Sequence, residues 1–110
     1  MESKRLAQLI NFLQESPEDP FLWFALAKEY EKLEQWEKAV EQFDRLRREQ
    51  PEYIGTYYHY GKLLEAMGKV EEAGIVFQEG MERARQAADA HDLRELQAAF
   101  HEWKNQQIWV

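Results

Sequence analysis

The residues best suited to chemistry lie in the segment EYIGTYYHYGK, residues 52–62, which holds four of the chain's five tyrosines. These are Tyr53, Tyr57, Tyr58 and Tyr60, and His59 lies among them. Phenols around an imidazole could transfer protons, form a cage around a ligand or pack into a hydrophobic core. The elements that position these side chains decide between the three interpretations.

The other candidates for catalysis or metal binding form no recognisable constellation. His91 and His101 are ten residues apart, a poor spacing for one helical face, and neither they nor His59 form a His-x-x-x-His pair. There is no cysteine and no glycine-rich phosphate loop, and the only serines, Ser3 and Ser16, lack the context of a catalytic triad. We therefore predict that the protein is not an enzyme and binds no metal or cofactor.

Composition and charge narrow the class of protein. The chain has 110 residues, enough for one domain, with 45% hydrophobic and 32% charged residues. No apolar run reaches membrane-spanning length, and the first residues lack the uncharged core of a signal peptide. The net charge of −7 disfavours a general nucleic-acid surface but leaves room for a local basic strip. We predict a cytoplasmic protein that binds neither nucleic acid nor membranes.

An internal repeat accounts for the positions of most aromatic residues. Residues 23–51 and 57–85 align with their large and small positions in register. A fixed period of this length indicates a repeat architecture. The pairs separated by 34 residues are Trp23 and Tyr57, Leu26 and Tyr60, Ala27 and Gly61, Tyr30 and Leu64, Ala39 and Ala73, Phe43 and Phe77, and Pro17 and Pro51.

The large and small positions of the repeat form one face of a helix. Their spacing is i, i+3, i+4, i+7, as in Trp23, Leu26, Ala27 and Tyr30. A small residue at position 27, or Gly61 in the second copy, lets a partner helix approach closely. The pattern therefore predicts helices packed in pairs rather than a site built around the tyrosines.

Start signals set the helix boundaries. Asp19 followed by Pro20 is an N-cap acceptor before a proline at the first helical position. For the last helix two caps are open, since either Asp89 caps it or Asp92 and Glu95 form a capping box. The predicted helices lie near residues 3–15, 20–33, 36–49, 54–67, 70–87 and 90–105.

The order large-x-x-large-small-x-x-large, then a turn, then Ala-x-x-x-Phe resembles the tetratricopeptide repeat (TPR) family, in which each repeat is a helix pair. The first copy matches most strongly, whereas the second has Arg85 in place of the closing proline. The segments DPFLWFALAKEYEKL, GTYYHYGKL and DLRELQAAF also resemble short stand-alone bacterial TPR proteins of uncharacterised function. The resemblance implies an all-α, right-handed helix-pair solenoid of about six helices, in a single domain over residues 1–110. Its assigned parts are an N-terminal capping half-repeat over 3–17, repeats over 20–53 and 54–87, a C-terminal capping helix over 90–105, and a tail over 106–110.

The register of the last helix requires a shift. A simple 34-residue register puts His91 and Arg94 in core positions, which is implausible for two polar side chains. A shift of two residues puts apolar side chains there instead, namely Leu93, Leu96 and Phe100. A preceding helix that runs on past its expected end accounts for the insertion.

In TPR proteins the first helices of successive repeats line a concave groove that binds extended peptides. The resemblance maps this groove onto three residues from each of three helices: Phe24, Lys28 and Glu31, then Tyr58, Lys62 and Glu65, then Arg94, Ala98 and His101. Lysines at two equivalent positions, together with an arginine, would form a basic strip. The expected ligand is therefore an acidic peptide or one with a C-terminal carboxylate.

The same charged residues have a plainer interpretation as ordinary solvated ion pairs. Exposed pairs of this kind contribute about 0–1 kcal/mol and imply no function. In that case Lys28 pairs with Glu29 or Glu31, and Lys62 pairs with Glu65 or Glu52.

The C-terminal residues Ile108, Trp109 and Val110 are apolar at a position where a chain is usually frayed. Either Trp109 folds back over the last helix, or these residues dock into a second copy and form a homodimer.

The sequence leaves two functions open for the protein. The first is a non-catalytic scaffold or adaptor that binds a segment of an unidentified protein partner in its groove. The alternative is a structural or self-associating module whose groove is filled by its own tail or by a second copy.

The tyrosine cluster is thereby divided. Tyr57 and Tyr60 are predicted core residues, and Tyr53 lies in the turn between repeats. His59 falls at a partly exposed position and needs no catalytic role. Only Tyr58 stays a candidate for ligand binding.

Overall fold

The computed structural model of the protein describes the chain from Ser3 to Ile108, without the Ile108 side chain. Over this range every regular element is an α-helix. The predicted boundaries agree within two residues, except that the last helix continues three residues beyond its expected end. The six helices are α1 (Lys4–Glu15), α2 (Pro20–Lys32), α3 (Trp36–Glu49), α4 (Gly55–Ala66), α5 (Val70–Gln86) and α6 (Ala90–Ile108).

The helices form two compact units that divide between Tyr53 and Ile54. In the first unit α2 packs against both α1 and α3. In the second unit α4, α5 and α6 all contact one another. The roles assigned above to capping half-repeats stay predictions.

Side-chain caps start the helices where the sequence places them. The Asp19 carboxylate accepts a hydrogen bond from the Phe21 amide at 2.9 Å, with Pro20 at the first helical position. The Asp89 carboxylate accepts one from the Asp92 amide at 3.0 Å. Of the two caps that the sequence left open for α6, Asp89 is therefore the one formed.

The turns that follow α2, α4 and α5 share one left-handed conformation. Glu34, Gly68 and Ala88 have φ values of 59°, 79° and 55°. The residue after each one donates its amide to the carbonyl five residues earlier, closing a Schellman motif. These bonds run from Gln35 to Tyr30 (2.9 Å), from Lys69 to Leu64 (2.8 Å) and from Asp89 to Ala84 (2.9 Å).

Glycine substitution at the two non-glycine turns is expected to stabilise the protein. A left-handed conformation costs an L-residue about 1–2 kcal/mol, part of which glycine's larger unfolded-state entropy offsets. We therefore expect Glu34→Gly and Ala88→Gly each to raise the free energy of unfolding, measured by urea denaturation, by up to about 1 kcal/mol. The reverse change Gly68→Ala is the matched control, because no atom lies within 4 Å of the added methyl group. A Gly68→Ala variant as stable as the parent would contradict the common turn conformation.

The core of the first unit joins α2 to its two neighbours. Leu6 and Leu9 of α1 cluster with Ala25 and Leu26 of α2, and Leu13, Leu22, Tyr30 and Leu33 pack around them. The buried Trp23 indole donates a hydrogen bond to the Pro17 carbonyl at 2.8 Å. The Arg45 guanidinium lies 4.1 Å from the centre of the Trp23 ring, a cation–π contact that covers it.

The core of the second unit depends on glycines that admit large rings. A Cβ on Gly61 would run into the Phe77 ring, with Cδ1 only 2.6 Å away. A Cβ on Gly80 would meet the Tyr57 Cβ, with Leu96 Cδ2 at 3.1 Å. The predicted role of Gly61 as a close-approach site is confirmed, whereas the sequence analysis did not identify Gly80.

The repeat pairs predict the core residues well. Trp23, Tyr57, Phe43 and Phe77 are almost or completely inaccessible to solvent, and so are the small and large partners around them, Leu26, Ala27, Ala39, Tyr60, Leu64 and Ala73. Tyr30 is the exception, since it is only half-buried.

In α6 the residues expected in the core differ in burial. Leu96 is fully buried, whereas Leu93 and Phe100 are half-buried. Ala99, about one turn after Leu96 on the same helix, is also buried. His91 is exposed, as the shifted register predicts.

Candidate functional site

The predicted groove residues of the first unit form one stripe along α2. Phe24, Lys28 and Glu31 follow the spacing i, i+4, i+7, and all three are partly exposed. The Lys28 Nζ lies 3.5 Å from the Glu31 Oε1. The Phe24 ring meets the Phe43 ring edge to face, with centroids 6.1 Å apart, and is tilted on Tyr53 at 5.8 Å. Phe24 is therefore held by the core while one side stays accessible.

The predicted groove residues of α4 repeat this arrangement. Lys62 Nζ lies 3.3 Å from Glu65 Oε1, which is the same i, i+3 pair one repeat later. Tyr58 occupies the position equivalent to Phe24 and contacts the His59 ring edge to face at 5.4 Å. Tyr58 also lines a small cavity of about 110 Å³ with the α6 residues Asp92 and Glu95. The phenol is thus placed at a polar surface rather than in the core.

The predicted groove residues of α6 are Arg94, Ala98 and His101. Each is exposed, and their spacing of four and then three residues places them on one face of the helix. The set on α2, the set on α4 and the set on α6 are each a stripe on one helix. Their assembly into one groove stays a prediction.

The ion pairs fit the plainer interpretation of the lysines as well. Of the partners suggested for Lys28 and Lys62, the structure pairs them with Glu31 and Glu65. Both pairs are local and partly exposed, so each contributes at most about 1 kcal/mol. A ligand carboxylate could therefore replace either glutamate at little energetic cost.

Tyr53 supports the Phe24 side of the stripe as a neutral phenol. Burial raises the pKa of Tyr53, and the nearby Asp19 carboxylate raises it further. The hydroxyl therefore stays protonated across the physiological range, and the tilted ring contacts Phe24 without adding a charge.

A cleft that the sequence analysis missed lies at the end of α2 in the first unit. It has a volume of about 420 Å³ and is lined by Arg5, Lys28, Glu29, Glu31, Lys32 and Trp36. Glu29 is only 5% exposed, and its carboxylate accepts a hydrogen bond from the Ser3 hydroxyl at 2.9 Å. Glu29 falls on the same apolar stripe as Leu26 and Leu33, which is the sequence signal that could have identified it.

Trp103 was also missed, although it joins α5 to α6. Its indole donates a hydrogen bond to the Val70 carbonyl at 2.8 Å, and its ring stacks on Phe100 at 5.3 Å. A Cβ on Gly74 would collide with that indole, with Cη2 at 2.6 Å. The sequence analysis assigned a packing role to Trp109 in the apolar tail instead. That residue and Val110 lie outside the described part of the chain, as does the Ile108 side chain, so the tail predictions stay predictions.

Comparison with known proteins identifies the family. Tetratricopeptide repeat models match residues 20–63 and residues 54–86. The solution structure of a tetratricopeptide repeat domain protein from Salinibacter ruber is 39% identical over 81% of this chain and 90% of its own, with a TM-score of 0.78. The chain belongs to the tetratricopeptide repeat family. The predicted all-α, TPR-type fold of about six helices is confirmed.

Two further solved structures are similar to this chain. A crystal structure of a tetratricopeptide repeat domain protein, also from Salinibacter ruber, is 38% identical, covers 78% of this chain and 97% of its own, and has a TM-score of 0.75. A solution structure of a Bordetella parapertussis protein shares the fold with a TM-score of 0.79, at 23% identity over 96% of this chain and 91% of its own. No curated protein matches the sequence.

TPR repeats generally mediate protein–protein interactions, and the family is typically non-catalytic. No helix between residues 3 and 108 combines the length and the apolar character needed to cross a membrane. Over the same part of the chain, no group of three His, Asp or Glu side chains stands close enough together to hold a metal ion.

Proposed function

We propose that this TPR protein is a cytoplasmic, non-catalytic adaptor that binds an acidic segment of a protein partner. The binding surface consists of Phe24, Lys28 and Glu31 on α2, Tyr58, Lys62 and Glu65 on α4, and Arg94, Ala98 and His101 on α6. The observation that carries the proposal is the recurrence of one aromatic–lysine–glutamate set at the same positions of both repeats. All nine side chains are at least partly exposed, whereas Trp23 and Tyr57 at neighbouring positions are buried in the core.

The chemistry of the set favours an acidic partner segment. Each lysine ammonium can exchange its weak pair with glutamate for a ligand carboxylate, because both charges are partly solvated. The rings of Phe24 and Tyr58 offer apolar contact one turn away from the lysines. Equivalent positions on successive repeats suit a ligand in an extended conformation, whose side chains recur at a regular spacing.

Charge reversal at the two lysines is expected to weaken this binding. In a peptide array of acidic, neutral and basic sequences, the parent protein should prefer acidic peptides. Lys28→Glu combined with Lys62→Glu should weaken that binding by about tenfold or more, because each substitution removes a charge-assisted contact and adds a repulsion.

Lys4→Glu combined with Lys69→Glu is the matched control, since it changes the net charge equally at exposed lysines outside the predicted groove. Equal binding by the groove variant and the control would overturn the acidic-ligand proposal.

The self-associating alternative is tested by light scattering, which measures the mass in solution of the parent and of the Trp109→Ala variant. A dimer lost in that variant would favour a groove filled by a second copy.

A further inference from the structure

The cleft at the end of α2 combines residues from three helices of the first unit. Arg5 comes from the first turns of α1, Lys28 to Lys32 from the end of α2, and Trp36 from the start of α3. Because α1 and α2 are packed with the start of one beside the end of the other, Glu29 meets both Ser3 and Arg5. The cleft volume of about 420 Å³ lies within the range of small-ligand sites.

The two carboxylates in the cleft are already engaged. Glu29 accepts the Ser3 hydroxyl hydrogen bond and lies 3.7 Å from the Arg5 Nε. Glu31 lies 3.5 Å from the Lys28 ammonium. The acceptors of the cleft are therefore largely satisfied from within the protein.

The donors of the cleft have capacity left. Arg5 is 61% exposed, and within the described part of the chain its ion pair with Glu29 is a single, long contact at Nε that leaves its terminal nitrogens available. Over residues 3–108, Lys32 has no ion pair and the Trp36 indole N–H has no hydrogen-bond partner. Among residues 3–108, three cations and two carboxylates line this cleft, whereas the whole chain carries a net charge of −7. Over the described residues the cleft therefore carries one more cationic than anionic side chain.

Trp36 adds an apolar surface to this donor set. It is 38% exposed although it is a large aromatic residue. An exposed tryptophan face next to cations suits a ligand that carries a flat ring and a negative charge side by side. A peptide provides that combination when an aromatic residue adjoins a carboxylate.

We infer that this cleft anchors an aromatic residue of the partner with a carboxylate beside it. Arg5 and Lys32 bind the carboxylate, and Trp36 stacks on the ring. The inference deepens the proposed function and rests on it, because the partner segment is acidic in both. It adds a subsite formed by Arg5, Lys32 and Trp36, none of which belongs to the predicted groove.

The carboxylate can come from an acidic side chain or from a chain terminus, and three small probes distinguish these sources. N-acetyl-glutamyl-phenylalaninamide carries the charge on a side chain, and N-acetyl-glycyl-phenylalanine carries it at the C-terminus. N-acetyl-glutaminyl-phenylalaninamide is the neutral control. Titration with each probe is followed by the indole N–H signals of the four tryptophans in a ¹H–¹⁵N spectrum, with Trp36→Phe identifying the Trp36 signal.

We expect at least one charged probe to shift the Trp36 signal at millimolar concentration, and the neutral probe to leave it in place. Arg5→Gln combined with Lys32→Gln should raise the dissociation constant about tenfold, as expected for the loss of charged hydrogen bonds. Lys4→Gln combined with Lys69→Gln, the matched control, should bind like the parent. Added salt should weaken binding, because exposed charges are screened.

Failure of this inference is separable from failure of the proposed function. A longer acidic peptide that binds the parent and the Arg5/Lys32 variant equally overturns the cleft while leaving the groove intact. A Trp36 shift by a charged probe, without binding of any acidic peptide on the array, keeps the cleft as a carboxylate site and overturns the groove. No shift with either charged probe overturns the inference outright.

Discussion

The free energy of unfolding of the Phe77→Ala variant is expected to be about 3–5 kcal/mol lower than that of the parent. Phe77 is completely buried, and its ring lies directly against the backbone of Gly61. Removing the ring takes away its burial and leaves a cavity between α4 and α5 that the glycine cannot fill. Urea denaturation followed by far-ultraviolet circular dichroism measures the loss.

A double-mutant cycle isolates the contact between the ring and the glycine. Gly61→Ala alone should cost about 1–3 kcal/mol, because the new methyl group overlaps a ring that has no room to move. In the Phe77→Ala background the same methyl group enters the cavity, so its cost should largely vanish. An equal cost of Gly61→Ala in both backgrounds would show that the close approach does not set the packing of α4 on α5.

The Trp103→Ala variant is expected to lose about 3 kcal/mol of unfolding free energy. Trp103 covers Gly74, stacks on Phe100 and donates a hydrogen bond to the Val70 carbonyl. These contacts hold α6 against α5, so the loss should be seen in the same denaturation experiment. Trp103→Phe keeps an aromatic ring but removes the donor, and should cost only about 1 kcal/mol.

An exposed aromatic residue provides the control for this prediction. Phe21 is 59% exposed at the start of α2, so Phe21→Ala should change stability by less than about 0.5 kcal/mol. A Trp103→Ala variant no less stable than Phe21→Ala would mean that the indole does not join the two helices. Because Trp109 lies in the tail, its replacement separates the contribution of the tail from that of Trp103.

The helices were predictable because their signals are local. Asp19 and Pro20 mark the start of α2, and the i, i+3, i+4, i+7 stripes identify the faces that Trp23 and Tyr57 bury. The 34-residue period then assigned the same role to paired positions, so that Phe43 and Phe77 were both correctly placed in the core. Each of these inferences needs only neighbouring residues and one repeat length.

The tyrosine cluster shows how this reasoning resolves an apparent site. Tyr57 and Tyr60 are buried, Tyr58 and His59 are partly exposed, and Tyr53, just before α4, contacts the Phe24 ring. The predicted division of the cluster is confirmed for the core pair and for the partly exposed pair. The four consecutive residues 57–60 therefore perform different structural roles, because helical geometry points them in different directions, and Tyr53 lies outside the helix.

The candidate site was predictable only in part. The pairs Lys28–Glu31 and Lys62–Glu65 follow from i, i+3 spacing, and the sequence suggested both partners. The cleft was not predictable, because Arg5 and Glu29 are 24 positions apart in the sequence and no repeat relates them. The same reason hid the contact between Gly74 and Trp103.

The sequence by itself determined the number of helices, the limits of all but the last, most of their buried faces and the family to which the chain belongs, because capping and periodic burial depend on nearby residues. Only the tertiary structure decided that Asp89 caps α6, that Gly80 admits Tyr57 and that Arg5, Lys32 and Trp36 line one cleft. These facts depend on which side chains meet after helices have packed. A one-dimensional pattern specifies the faces that must be covered, whereas the packed structure specifies which atoms cover them.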